Sequence, residues 1–290
     1  MRQRIQKRKK SMMQSDIMKK WKTILKVFLW IYLTSLILTL LHFGRRILVA
    51  DSFRIPSASM SPTLIPGDRV TVNKLLFGPR IYTSLDFSPK APLRCIRLPG
   101  IREIKPGDII VFNFPFGGTD WSHIEFRIND VYCKRVLGCP GDTIGITDGH
   151  CWNSRMPGCI GVAGNQERLR MMPDSILWQN RSFRTIPLAL PIWDVHNMGP
   201  LAVPMKGRTV RLTELTAELY RYVIEYETGS TLRAKPDGGY KIGPMNVRQY
   251  RFRQNWYFAL GDNSTDSQDS RFWGFIPEDF IVGIVASVQN

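Results

Sequence analysis

The chain has 290 residues, of which 43% are hydrophobic and 22% charged, and 40 basic residues against 24 acidic give a net charge of +16. That is ordinary globular material, enough for one large domain or two modest ones beyond any membrane anchor. The charge does not describe a nucleic-acid surface: residues 1–26 hold ten Lys or Arg and one acid, Asp16, leaving a net of +7 on the other 264 residues.

That basic tail precedes an apolar run. Val27–Gly44, VFLWIYLTSLILTLLHFG, contains no Lys, Arg, Asp or Glu. Its 18 residues would span about 27 Å as a helix, close to the hydrocarbon thickness of a bilayer. Trp30 and Tyr32 lie near one end, as interfacial aromatics do, and His42 near the other reads as an interfacial residue without chemistry. The charge asymmetry places the N-terminus in the cytoplasm and residues 45–290 outside, with Arg45 and Arg46 outnumbered. A cleavable leader fits poorly: the run is long and is followed by Arg45-Arg46-Ile47-Leu48 rather than a small-x-small site. The expectation is a basic cytoplasmic tail (1–26), one retained helix in the lipid bilayer (27–44) and an extracytoplasmic domain (45–290).

Beyond the anchor the pattern is mainly β. Arg69–Asn73 and Asp108–Asn113 are β-rich runs shortly after Pro-Gly pairs, and Val131–Leu137 is ended by Gly138. Trp256–Leu260 and Phe280–Ala286 come late. Short apolar or alternating runs punctuated by Gly, Pro and Asp predict antiparallel sheets. The core is assigned to 51–142 and 256–290. Residues 143–255, with weaker strand signals, read as an inserted smaller β-rich domain. Within it, Leu215, Leu219, Tyr222, Val223 and Tyr226 follow a helical period. They predict an amphipathic helix over about 213–227, with Thr213 as its cap. Gly229–Gly239 reads as loop.

Five cysteines are present: Cys95, Cys133, Cys139, Cys151 and Cys159. In an oxidising compartment Cys151 and Cys159, flanking a loop with Pro157-Gly158, are the best disulfide candidates, and two free thiols fit the sequence as well. The four histidines are scattered, with no His-Glu-x-x-His, no Cys-x-x-Cys and no Gly-rich phosphate loop. No metal site and no cofactor are expected. Asn180-Arg-Ser and Asn263-Ser-Thr fit the glycosylation pattern, which chance often produces.

The chemistry lies in three blocks. Pro56–Leu64 reads PSASMSPTL, and Pro56 and Pro62 hold the residues before them extended. Read alone, Ser59 is a loop serine. Tyr132-Cys133-Lys134-Arg135 leads to Gly138-Cys139-Pro140-Gly141-Asp142, and read alone its lysine is one of a solvated pair. Gly261–Gly274, GDNSTDSQDSRFWG, reads as a polar turn-rich loop. Together they carry more: a serine needs a base before it attacks a carbonyl, and a desolvated lysine can be that base.

In register and order the blocks resemble those of the type I signal peptidases, a bacterial family with a Ser–Lys dyad. Gly107–Phe112 matches one of the family's structural strands. The resemblance implies Ser59 as acyl-forming nucleophile and Lys134 as general base. Ser57 and the Ser59 backbone N–H would form the oxyanion hole. Ser267 would orient the lysine amine, Asp269 and Arg271 would pair near the site, and Asp262 would support the same network. Phe53, Ile55, Pro56, Met60, Leu64, Tyr132 and Cys133 would shape apolar pockets for an Ala-x-Ala segment. Cys133 and Cys139 stand where the family often has aliphatic residues. Ser264 stands where it often has Arg, which puts one salt bridge in doubt. The implied function is removal of signal peptides from exported preproteins at the outer face of the inner membrane, by a monomer. The alternatives are a dedicated processing peptidase for one pilin-like substrate and a catalytically inactive, membrane-tethered binding protein on the same scaffold.

Overall fold

The structure is a computed structural model that describes residues 2–84, 86–88, 93–117, 121–173, 175–176, 185–186, 192–236 and 238–289. Asn180 lies outside the described residues. Two compact units divide the chain, Met1–Ile47 and Leu48–Asn290.

The first unit is one helix running Arg2–Leu48. Its Met18–Leu48 portion is long and apolar enough to cross a membrane. The helix overruns Val27–Gly44 at both ends, because lysine and arginine are good helix formers and a single internal Gly44 costs only about 1 kcal/mol. Large apolar side chains such as Phe28, Trp30, Leu38 and Leu41 are exposed along it. That surface suits lipid.

The second unit is mainly β. Its strands are β1 (Ala50–Arg54), β2 (Arg69–Asn73), β3 (Arg80–Tyr82), β4 (Cys95–Arg97), β5 (Ile109–Asn113), β6 (Val131–Gly138), β7 (Thr143–Thr147), β8 (His150–Asn153) and β9 (Met198–Ala202). They continue as β10 (Thr209–Arg211), β11 (Leu232–Ala234), β12 (Tyr240–Ile242), β13 (Met245–Val247), β14 (Gln249–Arg251), β15 (Trp256–Leu260), β16 (Ile276–Pro277) and β17 (Ile281–Gln289). Seven of them form one antiparallel sheet in the order β1-β2-β17-β5-β6-β15-β16. The five runs read from sequence all lie in this sheet.

A recurring turn launches three strands, two of this sheet and one of the segment 143–255. Ile65-Pro66-Gly67-Asp68, Lys105-Pro106-Gly107-Asp108 and Cys139-Pro140-Gly141-Asp142 precede β2, β5 and β7. In each, the Asp N–H bonds back to the first carbonyl at 3.0–3.1 Å. Its carboxylate accepts the first residue's N–H at 2.8–2.9 Å. Gly67, Gly107 and Gly141 sit at φ +105°, +93° and +84°. Proline before a positive-φ glycine is the chemistry of a type II turn.

Strand alternation sends side chains into separate apolar clusters. Ile110 and Phe112 of β5 face one cluster, together with Tyr257, Ala259, Ile281 and Ile284. Val111 faces another, with Ile55, Met60, Leu64, Val70 and Val72. Trp256, Phe258 and Leu260 share a third with Ile144, Leu201, Val223 and Tyr250. Residues 143–255 therefore contribute to a core shared with β6 and β15. They hold two three-stranded sheets, β8-β7-β9 and β11-β12-β13, and the pair β10-β14.

Two local expectations are corrected. The helix over 213–227 is two, Glu214–Leu219 and Arg221–Thr228. They break at Tyr220 (φ −106°, ψ 10°), which turns into the core, stacks on Phe275 and donates to the Ala202 carbonyl. Thr213 caps the first helix. The segment after Gly229 is not all loop, since β11 pairs there with β12.

Candidate active site

Ser59 sits on a short 3-10 turn, Ala58–Met60, that follows β1. Ile55, Met60 and Leu64 on either side of it are buried in one apolar cluster. This burial fastens the segment from below and leaves Ser59 half-buried at the surface. Asn263 holds it from the other side, its N–H reaching the Ser59 carbonyl (3.1 Å) and its side-chain amide the Ala58 carbonyl (3.2 Å).

Lys134 lies on β6. On one side β5 pairs along Val131–Arg135. On the other, β15 reaches only as far as Leu260 opposite Arg135. The Val131–Lys134 edge therefore opens onto a cleft of about 450 Å³, walled also by Ile55–Met60, Asp266 and Gln268. Lys134 is 3% exposed. Its Nζ donates to Ser59 Oγ at 2.6 Å. Burial lowers its pKa, and the Asp269 charge is the largest influence opposing that shift. With a neutral amine the same contact can run the other way, and the serine proton can pass to nitrogen. Ser57 Oγ donates to Ser59 Oγ at 3.3 Å.

The third block forms the back of the site. Asp269 and Arg271 are 0% and 2% exposed. They make a two-point pair, Nε to Oδ1 and Nη2 to Oδ2, both 2.9 Å. Asp269 Oδ2 also accepts the Gly261 N–H at 3.0 Å. A Cβ at Gly261 would lie 2.1 Å from Ser267 Oγ and 2.4 Å from the Ser59 carbonyl. Glycine is what lets this loop come so close to the serine turn. Ser267 Oγ is buried and, among the described residues, has no hydrogen-bond partner; no bond from it to Lys134 is formed. Asp262 pairs with Arg135, which donates from Nε to Oδ1 and from Nη2 to Oδ2, both 2.7 Å, and it also accepts from Thr63 Oγ1. The residue beside Lys134 thus supplies a guanidinium for Asp262, while Ser264 is buried nearby.

Ile55, Pro56, Met60, Tyr132 and Cys133 all wall the cleft. Phe53 and Leu64 are not among its lining residues. Leu64 is wholly buried, because the Leu64 N–H bonds back to the Met60 carbonyl and folds the chain inward, and Phe53 packs against the same cluster. Burial pushes the Cys133 thiol up to about 12, which leaves it a poor nucleophile. Cys151 and Cys159 are both free thiols. Cys151 is buried in β8, its N–H bonded to Gln166, whereas Cys159 is exposed beyond the Pro157-Gly158 turn. The sequence assigns no site role to Asp266, Gln268, Asn263, Thr63 or Asn165. The first three interleave with the motif residues, and Thr63 lies within the serine block. Asn165 gives no local signal. Among the described residues no cluster of His, Cys, Asp and Glu could hold a metal ion.

Comparison with known proteins agrees with this geometry. The family model for signal peptidase, peptidase S26, matches residues 26–154 and 207–289. The signal peptidase I of Buchnera aphidicola from Acyrthosiphon pisum is 30% identical over 261 residues, covering 82% of this chain and 67% of that protein. The one from Schizaphis graminum is 27% identical over 247 residues, with coverages of 82% and 67%. The signal peptidase I of Pseudomonas fluorescens is 26% identical over 248 residues, with coverages of 82% and 64%. The chain thus spans about two thirds of these relatives' length. A serine bonded to a buried lysine, in a mainly β unit that follows an apolar helix, is therefore part of a chain that belongs to the signal peptidase family, peptidase S26.

Proposed function

We propose that this chain is a membrane-anchored serine endopeptidase that removes N-terminal signal peptides from preproteins, with Ser59 as nucleophile and Lys134 as base. The observation that carries the reading is the 2.6 Å contact between Lys134 Nζ and Ser59 Oγ at the wall of an open cleft. Neutral Lys134 takes the Ser59 proton as Oγ attacks the scissile carbonyl. Ser57 and the Ser59 N–H face the developing oxyanion, each such donor contributing on the order of 3 kcal/mol. The lysine ammonium then protonates the leaving amine, leaving an acyl-serine. A water deprotonated by Lys134 attacks the acyl carbon, and the proton returns to Ser59 as the ester breaks. Ser267, whose buried Oγ has no partner among the described residues, is left able to accept from the amine and orient it as the reaction proceeds. The Asp269–Arg271 pair fixes Gly261 against the serine turn, and Asp262 with Arg135 braces the same loop.

An extended substrate fits between the open edge of β6 and the segment that follows β1, as an added strand. Ile55, Pro56, Met60, Tyr132 and Cys133 then form shallow apolar pockets suited to Ala-x-Ala. Residues 1–26 lie in the cytoplasm, one helix including 27–44 spans the inner membrane, and the catalytic unit faces outward as a monomer. The core 51–142 and 256–290 carries the chemistry, and 143–255 is the insertion. The test is cleavage of an Ala-x-Ala preprotein by the full chain in detergent, beside Ser59→Ala and Lys134→Ala. Each variant should lose at least about a thousandfold in kcat. Cutting by Ser59→Ala would remove this nucleophile. An inactive wild type would favour a binding scaffold.

A further inference from the structure

The family model passes over residues 155–206, yet that stretch sends a side chain into the site. Asn165 lies on the helix Ala163–Arg170 and is 9% exposed. Its Nδ2 donates to two carbonyls, Ser61 at 2.9 Å and Asp262 at 2.7 Å. Ser61 is two residues past Ser59. Asp262 follows Gly261, the glycine wedged between the Ser59 carbonyl and Ser267. One amide group therefore joins the serine turn to the loop that packs against it.

The anchor behind this amide is firm. Gln166, 2% exposed, accepts the Cys151 N–H at 3.0 Å and donates to the Ile160 carbonyl at 2.7 Å. Leu169 is 1% exposed in the core. The Asn165 backbone N–H bonds to the Val162 carbonyl at 3.0 Å. The helix cannot slide without breaking these contacts, so Nδ2 sets the separation of the two carbonyls it holds. A misplacement of about 1 Å in such a site can cost a hundredfold in rate.

We infer that Asn165 is a positioning residue for the peptidase reaction: it fixes the serine turn against the Gly261–Ser267 loop and so keeps Ser59 Oγ within reach of Lys134. The inference rests on the reading of Ser59 and Lys134 as the reacting pair. It gives the segment that the family model skips a role in catalysis, exerted through the backbone.

The experiment is steady-state cleavage of a preprotein by the full chain in detergent, across pH, with Asn165→Ala, Asn165→Asp and Ser59→Ala. Asn165→Asp keeps the side-chain volume and replaces the donor with an oxygen facing two carbonyls, so it carries the test if the alanine variant does not fold. Both Asn165 variants should lose about 10- to 100-fold in kcat with KM within about twofold. Their activity limb should also move towards alkaline pH, as Lys134 loses its fixed surroundings. A lower melting midpoint with kcat and limb unchanged would make Asn165 a plain structural tie and overturn the inference. Cutting by Ser59→Ala would instead sink the dyad on which it rests.

Discussion

Lys134 can act as a base only while its amine is neutral, and an ordinary lysine stays protonated until about pH 10.4. Burial lowers that value in the folded chain, with Asp269 opposing and itself neutralised by Arg271. The rate should rise with pH along a limb below that of free lysine, measured as kcat across pH; a limb at the free-lysine value would mean the amine is solvated. The same shift has a stability sign. Between the lowered folded pKa and the unfolded one, the unfolded chain binds the extra proton, so stability rises with pH across that window. Below it the charged amine in a buried site is a standing cost. Lys134→Met should therefore be inactive and melt about 2–4 °C higher at neutral pH, with the gain shrinking above the folded pKa. Calorimetry at two pH values checks this. Ser59, Lys134, Ser267 and Asp269 were legible as motif letters, but burial of the lysine was not. Lys-Arg in a strand normally reads as solvated, and only the folded edge of β6 decides which of the two is covered. Asn165 was illegible because its partners are backbone carbonyls, which leave no mark in sequence.

The loop–turn contact at Gly261 is the tightest test of the architecture at the scale of elements. Gly261→Ala would push a methyl against Ser267 and the Ser59 carbonyl. It should lower kcat by about 10- to 100-fold and destabilise the chain by about 1–3 kcal/mol. Kinetics together with thermal melting read both, and near-wild-type kinetics would show that the two segments part freely. Five of the seven strands of the large sheet were legible as short β-rich runs punctuated by Gly, Pro and Asp, whereas β1 follows directly on the long helix and β16 is two residues long. The Pro-Gly-Asp turns mark two of these strands, β2 and β5, and the same carboxylate geometry recurs before β7. Residues 143–255 were harder to read. Their strands are three to five residues long, too short for a period to emerge, and Tyr220 breaks a helical pattern whose letters alone look continuous.

For the molecule as a whole, the helical unit and the β unit ask for different solvents. Residues 18–48 expose apolar side chains along their length, whereas Leu48–Asn290 buries its own core. Orientation is testable with a native reporter, since Cys159 is exposed and a free thiol. A membrane-impermeant maleimide should label Cys159 in intact cells and fail in a Cys159→Ser control; labelling only after lysis would reverse the proposed topology. The anchor was the most legible part of the chain, because a charge-free apolar run needs no tertiary partner to declare itself. The order of the large sheet was the least legible. Strand β17 lies between β2, beside the serine segment, and β5, beside the lysine strand. A ribosome delivers the nucleophile and the base long before the strand that unites them. Until Ile281–Gln289 has been made, the half-sheet with Ser59 and the half-sheet with Lys134 lack the strand between them. Chain order thus sets the order of assembly: the half-sheet with the serine and the half-sheet with the lysine can be joined only after a strand that follows both in the sequence has been made.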